Sequence, residues 1–231
     1  MKKVMWILSL IPLIITSVIL QFMPEKIPMH HDVAGNVDRW GNRVESLIFP
    51  ILILVITLFW FLMIRFYEKK SLSVKSEKEQ MQAKSAAKFL GIVGIAETVM
   101  FGIMHFFILY SSWKQAVTGA ENAPVDISKI SCILMGILFV VLGNFMPKAK
   151  KNSSAGVRTT WSMYNDNTWR KSNRFGAIAI IAAGILTVVT AALVSGITAT
   201  ILMLVYIMIA AIVAVVYSKK VYDLEKSLKV D

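Results

Sequence analysis

The chain has 231 residues, enough for one large or two small soluble domains, but 56% of them are hydrophobic and the mean hydropathy is +0.64, which leaves more apolar surface than a water-soluble fold can cover. The net charge is +11 and the pI near 9.8, yet the basic residues lie between long apolar runs and not along one face, which argues against direct nucleic-acid binding. The one cysteine, Cys132, excludes a disulfide framework or a cysteine metal cluster within the chain.

The first apolar run, Val4 to Met23, follows Met-Lys-Lys and exceeds the roughly 7 to 15 residues of a signal-peptide core. No small-x-small cleavage site follows it. It reads as an uncleaved first span, kinked at Pro12 where neighbouring helices can accommodate the break. A bilayer core needs roughly 20 apolar residues per helix. Five further stretches approach or meet that length: Leu47 to Phe66, Phe89 to Tyr110, Ile130 to Met146, Phe175 to Val194 and Ile197 to Tyr217. Only Ser195 and Gly196 separate the last two, which implies a tight helical hairpin. The expected fold class is all-α: a polytopic bundle of about six transmembrane helices with the lipid bilayer as its main partner.

The connection after the first span carries Pro24, Pro28, His30, His31, Asp32, Gly35, Asp38, Arg39 and Trp40. Its prolines favour an extended lead-in, Gly35-Asn36 and Gly41-Asn42 are turn signals, and Trp40 suits a membrane interface. An ordered loop over 24–46 is expected. His30, His31 and Asp32 are metal-capable, but adjacent residues of an extended segment face opposite ways and no spaced ligand follows, so hydrogen-bonded histidines in a structural turn are favoured over a metal. Residues 68–88 mix Lys with Glu77 and Glu79 and read as a solvated helical extension attracted to anionic lipid. Small residues, among them Gly91, Gly94 and Gly102 in span three and Gly176, Ala183, Gly184 and Ala191 in span five, allow close helix approach.

The connection after the fourth span is the second informative loop. Pro147 ends the span, Gly156 permits a tight turn before Arg158, and Asn165 is a plausible N-cap with Asp166 in the first turn of the next helix. Trp161 and Trp169 are expected to anchor this segment at headgroup level, beside basic residues that reach lipid phosphates.

Lysine and arginine counts set the orientation, because basic residues near span ends resist translocation. The N-terminus, 65–88, 147–174 and the tail together carry 20 of them; the other connections carry five, Lys26, Arg39, Arg43, Lys114 and Lys129. Both termini are therefore expected in the cytosol. The organisation that follows is a two-span unit over 1–67 with its structured outer loop, a basic linker over 68–88, spans three and four over 89–146, a cytosolic motif loop over 147–174, and a two-span hairpin with a basic tail over 175–231.

Two sets of residues carry a resemblance. Ile27-Pro28-x-His30, with Gly35 and Asp38-Arg39-Trp40-Gly41, looks like a bacterial membrane domain of unknown function. Gly143-Asn144 through Asn152, Gly156-Val-Arg158-Thr159-x-Trp161, Trp169 and Arg174-Phe-Gly176 is similar to the SdpI family of bacterial membrane proteins. Together they cover roughly residues 10 to 195 in the family's order. Thr160 stands where the family commonly has proline, and Asn173 where histidine is frequent.

The resemblance implies a non-enzymatic cell-membrane immunity or signalling protein without a cofactor. A secreted peptide toxin would meet the outer loop at Pro28, His30, Gly35, Asp38, Arg39 and Trp40. A cytosolic repressor could dock at a face containing Arg158, Trp161, Trp169 and Arg174, within the motif set of Asn144, Asn152, Gly156 and Thr159. The alternative is a small proton-coupled transporter, because Glu97 and His105 lie inside span three and ionisable groups within a bilayer are functional candidates. Eight residues of helix place them about 80° apart around the axis, which does not form one compact site. No metal-hydrolase, serine-hydrolase or paired-carboxylate signature supports an enzyme.

Overall fold

The computed structural model describes residues 1–32, 36–120, 122–152 and 154–228. Among the described residues six helices are long and apolar enough to cross a membrane. In chain order the elements are α1 (Lys2–Ile19), β1 (Lys26–His31), β2 (Val37–Asn42), α2 (Ile48–Ser73), α3 (Glu77–Thr118), α4 (Ile127–Phe145), α5 (Asp166–Leu193) and α6 (Gly196–Ser227). Short 3-10 turns at Leu20–Phe22, Arg43–Leu47 and Met146–Lys148 finish or lead into helices.

The burial pattern is that of a lipid-solvated protein. Ile7, Ile14, Leu62, Ile178, Ile201, Met208 and Val216 are all more than half exposed, a belt that no soluble monomer would show to water. The buried faces instead carry Ser9, Thr16, Thr57, Thr98, Thr187, Ala183 and Ala191. Lipid tails are as apolar as leucine, so helices gain little by hiding leucine from them; close packing of small side chains holds the bundle together. Three of these threonines satisfy their hydroxyls within their own helices, Thr16 on the Pro12 carbonyl, Thr98 on Gly94 and Thr187 on Ala183, each at 2.7 Å, while Thr57 meets Thr98 across helices at 3.5 Å. Gly136 of α4 and Gly184 of α5 face each other so closely that a Cβ on either would sit within 2.7 Å of the other's carbonyl oxygen.

Helices α1, α2 and α3 pack as one group and α4, α5 and α6 as another, with α3 against α4 joining them. At 42 residues α3 is about 63 Å long, roughly twice a bilayer core. Its N-terminal extension forms most of the predicted solvated segment, with α2 ending at Ser73 and a short break before Glu77. Both ends of α3 therefore project beyond the apolar layer, and each supports one of the two loops read from the sequence.

Lys2 pairs with Glu68, Tyr67 with Ser154, Lys78 with Asp166, and Thr159 with Ser218. These contacts gather the N-terminus, the 67–88 region, the 147–174 loop and the end of α6 at one pole of the bundle. They are the segments carrying most of the basic residues. The hairpin and the α3–α4 and α5–α6 connections lie at the opposite pole, where Asp126 accepts the Gly196 backbone N–H at 3.0 Å.

Candidate functional site

The outer loop is an antiparallel β-hairpin. Lys26 pairs with Asn42, Ile27 with Gly41, Pro28 with Trp40, His30 with Arg39 and His31 with Val37, with irregularities on either side of His30. Pro28 is buried and Trp40 is half exposed, 51%. The Gly41-Asn42 turn signal is corrected: both residues belong to β2. Gly41 is there for close approach, since a Cβ would come within 2.4 Å of Glu45 Oε1 and 2.6 Å of the Met29 side chain. Asn42 caps the following 3-10 turn, accepting the Val44 N–H at 3.0 Å while its own N–H donates to Glu45 at 2.8 Å. Arg39 donates to the other Glu45 oxygen at 2.9 Å. Glu45 lies ahead of α2, and the Asn42 backbone bond, followed by the Arg39 bond, holds its carboxyl below the usual range.

The two adjacent histidines point apart, as an extended segment requires. His30 Nδ1 meets Asp38 Oδ1 at 2.6 Å on the exposed face. His31 Nε2 meets the fully buried Gln115 Oε1 at 2.8 Å, and Gln115 donates onward to the Ala120 carbonyl at 3.0 Å. Arg43 adds a bond to the Met23 carbonyl at 2.6 Å, and Asn36 bridges Asn122. The hairpin is thus fastened to the projecting end of α3. Gly35 lies outside the described residues. Among the described residues no group of three His, Cys, Asp or Glu side chains is placed to hold a metal ion.

The loop at the basic pole is a folded cap. Asn152 Oδ1 accepts the backbone N–H groups of Ser154 and Ala155 at 2.8 Å each, closing the first turn. Gly156 adopts φ +103°, and a Cβ there would overlap Asn173 Oδ1. Asn173, 1% exposed, accepts the Val157 N–H at 2.9 Å and donates to the Trp169 carbonyl at 3.0 Å. It therefore ties the loop to α5 from within. Thr159 and Ser162 exchange bonds, and Asn165 caps α5 by accepting the Thr168 N–H at 2.8 Å. From α6, Ser218 meets Thr159, Tyr222 packs edge-on against Tyr164, and Glu225 accepts from Asn165 and Asn167.

This geometry corrects the role expected of Trp169. Its ring is 4% exposed, and its Nε1 donates to the Ala149 carbonyl at 3.0 Å, so it is a post inside the cap and not a headgroup anchor. An indole with its one donor satisfied by protein gains more from packing than from the interface. Trp161 remains half buried with the Lys219 ammonium 5.8 Å from its ring centre. Asn144, Arg158 and Arg174 are exposed. Asn152, Gly156, Thr159 and Trp169 thus build the cap, while Arg158 and Arg174 decorate it.

Glu97 and His105 hold separate partners. Trp60 of α2 donates its indole N–H to Glu97 at 2.8 Å. His105, 1% exposed, lies 2.7 Å from Thr16 Oγ1 of α1 and stacks on Phe49 at 5.6 Å. The Thr16 hydroxyl also lies 2.7 Å from the Pro12 carbonyl, and the buried His105 Nδ1 has no hydrogen-bond partner among the described residues.

Two stretches of the chain match known sequence families. Residues 148–218 match the SdpI/YfhL protein family, and residues 7–54 match a domain of unknown function, DUF1648. The SdpI/YfhL match spans most of the cap, α5 and most of α6, under a third of the chain. The chain is also similar to immunity protein SdpI of Bacillus subtilis (strain 168), with 24% identity over 209 residues that cover 90% of this chain and 89% of the relative. No solved structure matches. The SdpI/YfhL region begins at the cap and ends at Ser218, the residue through which α6 meets Thr159. The second region covers most of α1, the hairpin and the start of α2.

Sequence reasoning missed Glu45 and Gln115. Asn42-x-x-Glu45 is a capping-box spacing, so Glu45 was available to it. Gln115 had no signal, because its partner is 84 residues away.

Proposed function

We propose that this chain is a cell-membrane immunity protein whose outer hairpin receives a secreted membrane-active peptide and keeps it from disturbing the bilayer. The observation that carries this reading is the attachment of an ordered hairpin to the rigid end of a membrane-spanning strut. A surface fixed by the His31–Gln115 bond can bind without a large ordering cost. It offers an exposed His30–Asp38 pair and the half-exposed Trp40, a polar and aromatic combination suited to an amphipathic peptide at the interface. The similarity to an immunity protein over nine-tenths of the chain supports the same reading.

The basic pole is assigned to the cytosol on the Lys and Arg asymmetry. There the face bearing Arg158, Trp161 and Arg174 is the surface offered to a repressor. Because α3 supports the hairpin through Gln115 and the cap through Ser85, which accepts the Lys150 N–H at 2.9 Å, one rigid element touches both surfaces.

The test uses Bacillus cells that lack their own SdpI, with and without this chain, exposed to culture supernatant of a toxin-producing strain. Survival of the expressing cells alone is expected; equal killing refutes immunity to that toxin. Topology is checked separately: Asn36→Cys should label with an impermeant maleimide in intact cells, and Thr160→Cys only after lysis. The transporter reading is weaker, since Glu97 and His105 bond to different helices.

A further inference from the structure

We propose that the cap and the N-terminal end of α3 enclose a binding cleft for a phosphate-bearing anion at the membrane surface. The open cleft of about 510 Å³ is lined by five cationic side chains, Lys78, Lys148, Lys150, Lys151 and Arg170. They come from three separate stretches of sequence, and only folding brings them together. Among the described residues Asp166 is the one acid in that lining, and Lys78 holds it at 2.6 Å.

Of the remaining cations, Lys151 shares the Asp166 carboxylate electrostatically, and the other three rest against neutral groups. Lys150 Nζ rests 3.3 Å from the Met81 sulfur, Lys148 Nζ lies 4.6 Å from the centre of the Phe145 ring, and Arg170 donates to the neutral Asn167 amide at 3.2 Å. Several like charges converging on one concavity raise its potential and favour an anion that bridges them. Phosphate suits such a set, because its several acceptor oxygens can meet an Arg fork and two or three ammonium groups at once.

The walls are fixed before any ligand arrives. Trp169 is locked to Ala149, and the Lys150 backbone is pinned to Ser85. Pro147, Met81 and Trp169 give the lining an apolar component beside the charges. The cleft begins at the end of α4, where the chain leaves the apolar layer. Two sources share this chemistry: the headgroup of an anionic phospholipid, whose glycerol would meet the apolar wall, and a free phosphate compound.

The experiment titrates the purified full-length chain in neutral detergent with short-chain phosphatidylglycerol, short-chain phosphatidylcholine and inorganic pyrophosphate. Binding of phosphatidylglycerol in preference to phosphatidylcholine assigns the cleft to a headgroup; binding of pyrophosphate at least as tightly assigns it to free phosphate. Each cation near a membrane surface contributes about five-fold in affinity, so the triple variant Lys148→Gln, Lys151→Gln, Arg170→Gln should weaken the preferred ligand on the order of 100-fold. The equally charged control Lys70→Gln, Lys220→Gln, Lys226→Gln lies outside the cleft and should stay within about three-fold of it. Lys148→Arg, which keeps the charge, should bind nearly as the parent does and guards against misfolding as the cause of loss. Equal loss in the triple variant and its control, or no preference for either phosphate ligand over phosphatidylcholine, overturns the proposal. Binding of an acidic peptide alone overturns it as well.

Discussion

Asn173 is the point at which the cap is most easily tested. Its carboxamide is fully enclosed, accepts the Val157 N–H at 2.9 Å and donates to the Trp169 carbonyl at 3.0 Å, directly under the positive-φ turn at Gly156. Asn173→Ala deletes the acceptor and leaves the Val157 N–H facing a void. The Trp169 carbonyl keeps its helical bond, so the loss is concentrated on the loop side. A buried donor without a partner costs about 1–3 kcal/mol. At about 2 kcal/mol, the population of the opened cap rises about 30-fold, since each 1.4 kcal/mol is a factor of ten. Hydrogen exchange followed by mass spectrometry in lipid nanodiscs reads this directly from peptides covering 149–162. Their slow amides should exchange about 30-fold faster, while α2 and α4 peptides stay unchanged. Arg174→Ala, the exposed neighbour, should leave the same peptides within about two-fold, in line with the small effects of surface changes. If Asn173→Ala also stays within about three-fold, the carboxamide does not hold the cap closed and the structural account of this loop is wrong.

Three further outcomes follow from the same geometry. Gln115→Ala should release the hairpin by removing the buried partner of His31, at a cost of about 1–3 kcal/mol, so exchange in 26–42 accelerates while the cap at the other pole is unaffected. Glu45 has a depressed carboxyl pKa, so its contribution to the hairpin is complete above the ordinary glutamate value near 4.5 and is lost as pH falls through the lower folded value. Hairpin exchange, corrected for intrinsic rates, should be constant from about pH 5 to pH 8 and rise only under strong acid, and Glu45→Gln should abolish that acid-dependent rise. Glu97→Gln retains an acceptor for the Trp60 indole and should unfold within a few degrees of the parent, whereas Trp60→Phe leaves Glu97 without that donor and should lose about 1–2 kcal/mol by thermal unfolding in detergent. The reverse order would show that this pair does not stabilise the α2–α3 contact.

Sequence alone determined the features that depend on local physics or on the solvent. Lipid-length apolar runs set six helices, alternation of basic and sparsely charged connections sorted the loops between two poles, and Pro147, Gly156 and Asn165 marked a helix end, a turn and a cap because each acts on its own backbone. Tertiary structure decided whatever depends on partners distant in sequence. Trp169 looks like an interface anchor until Ala149 takes its N–H; His31 looks like its neighbour His30 until Gln115 meets it from α3. The cleft cations are ordinary basic side chains until α3 and the cap fold against each other. A side chain's type fixes what bonds it can make, but which bond it makes is settled by the helices that close around it.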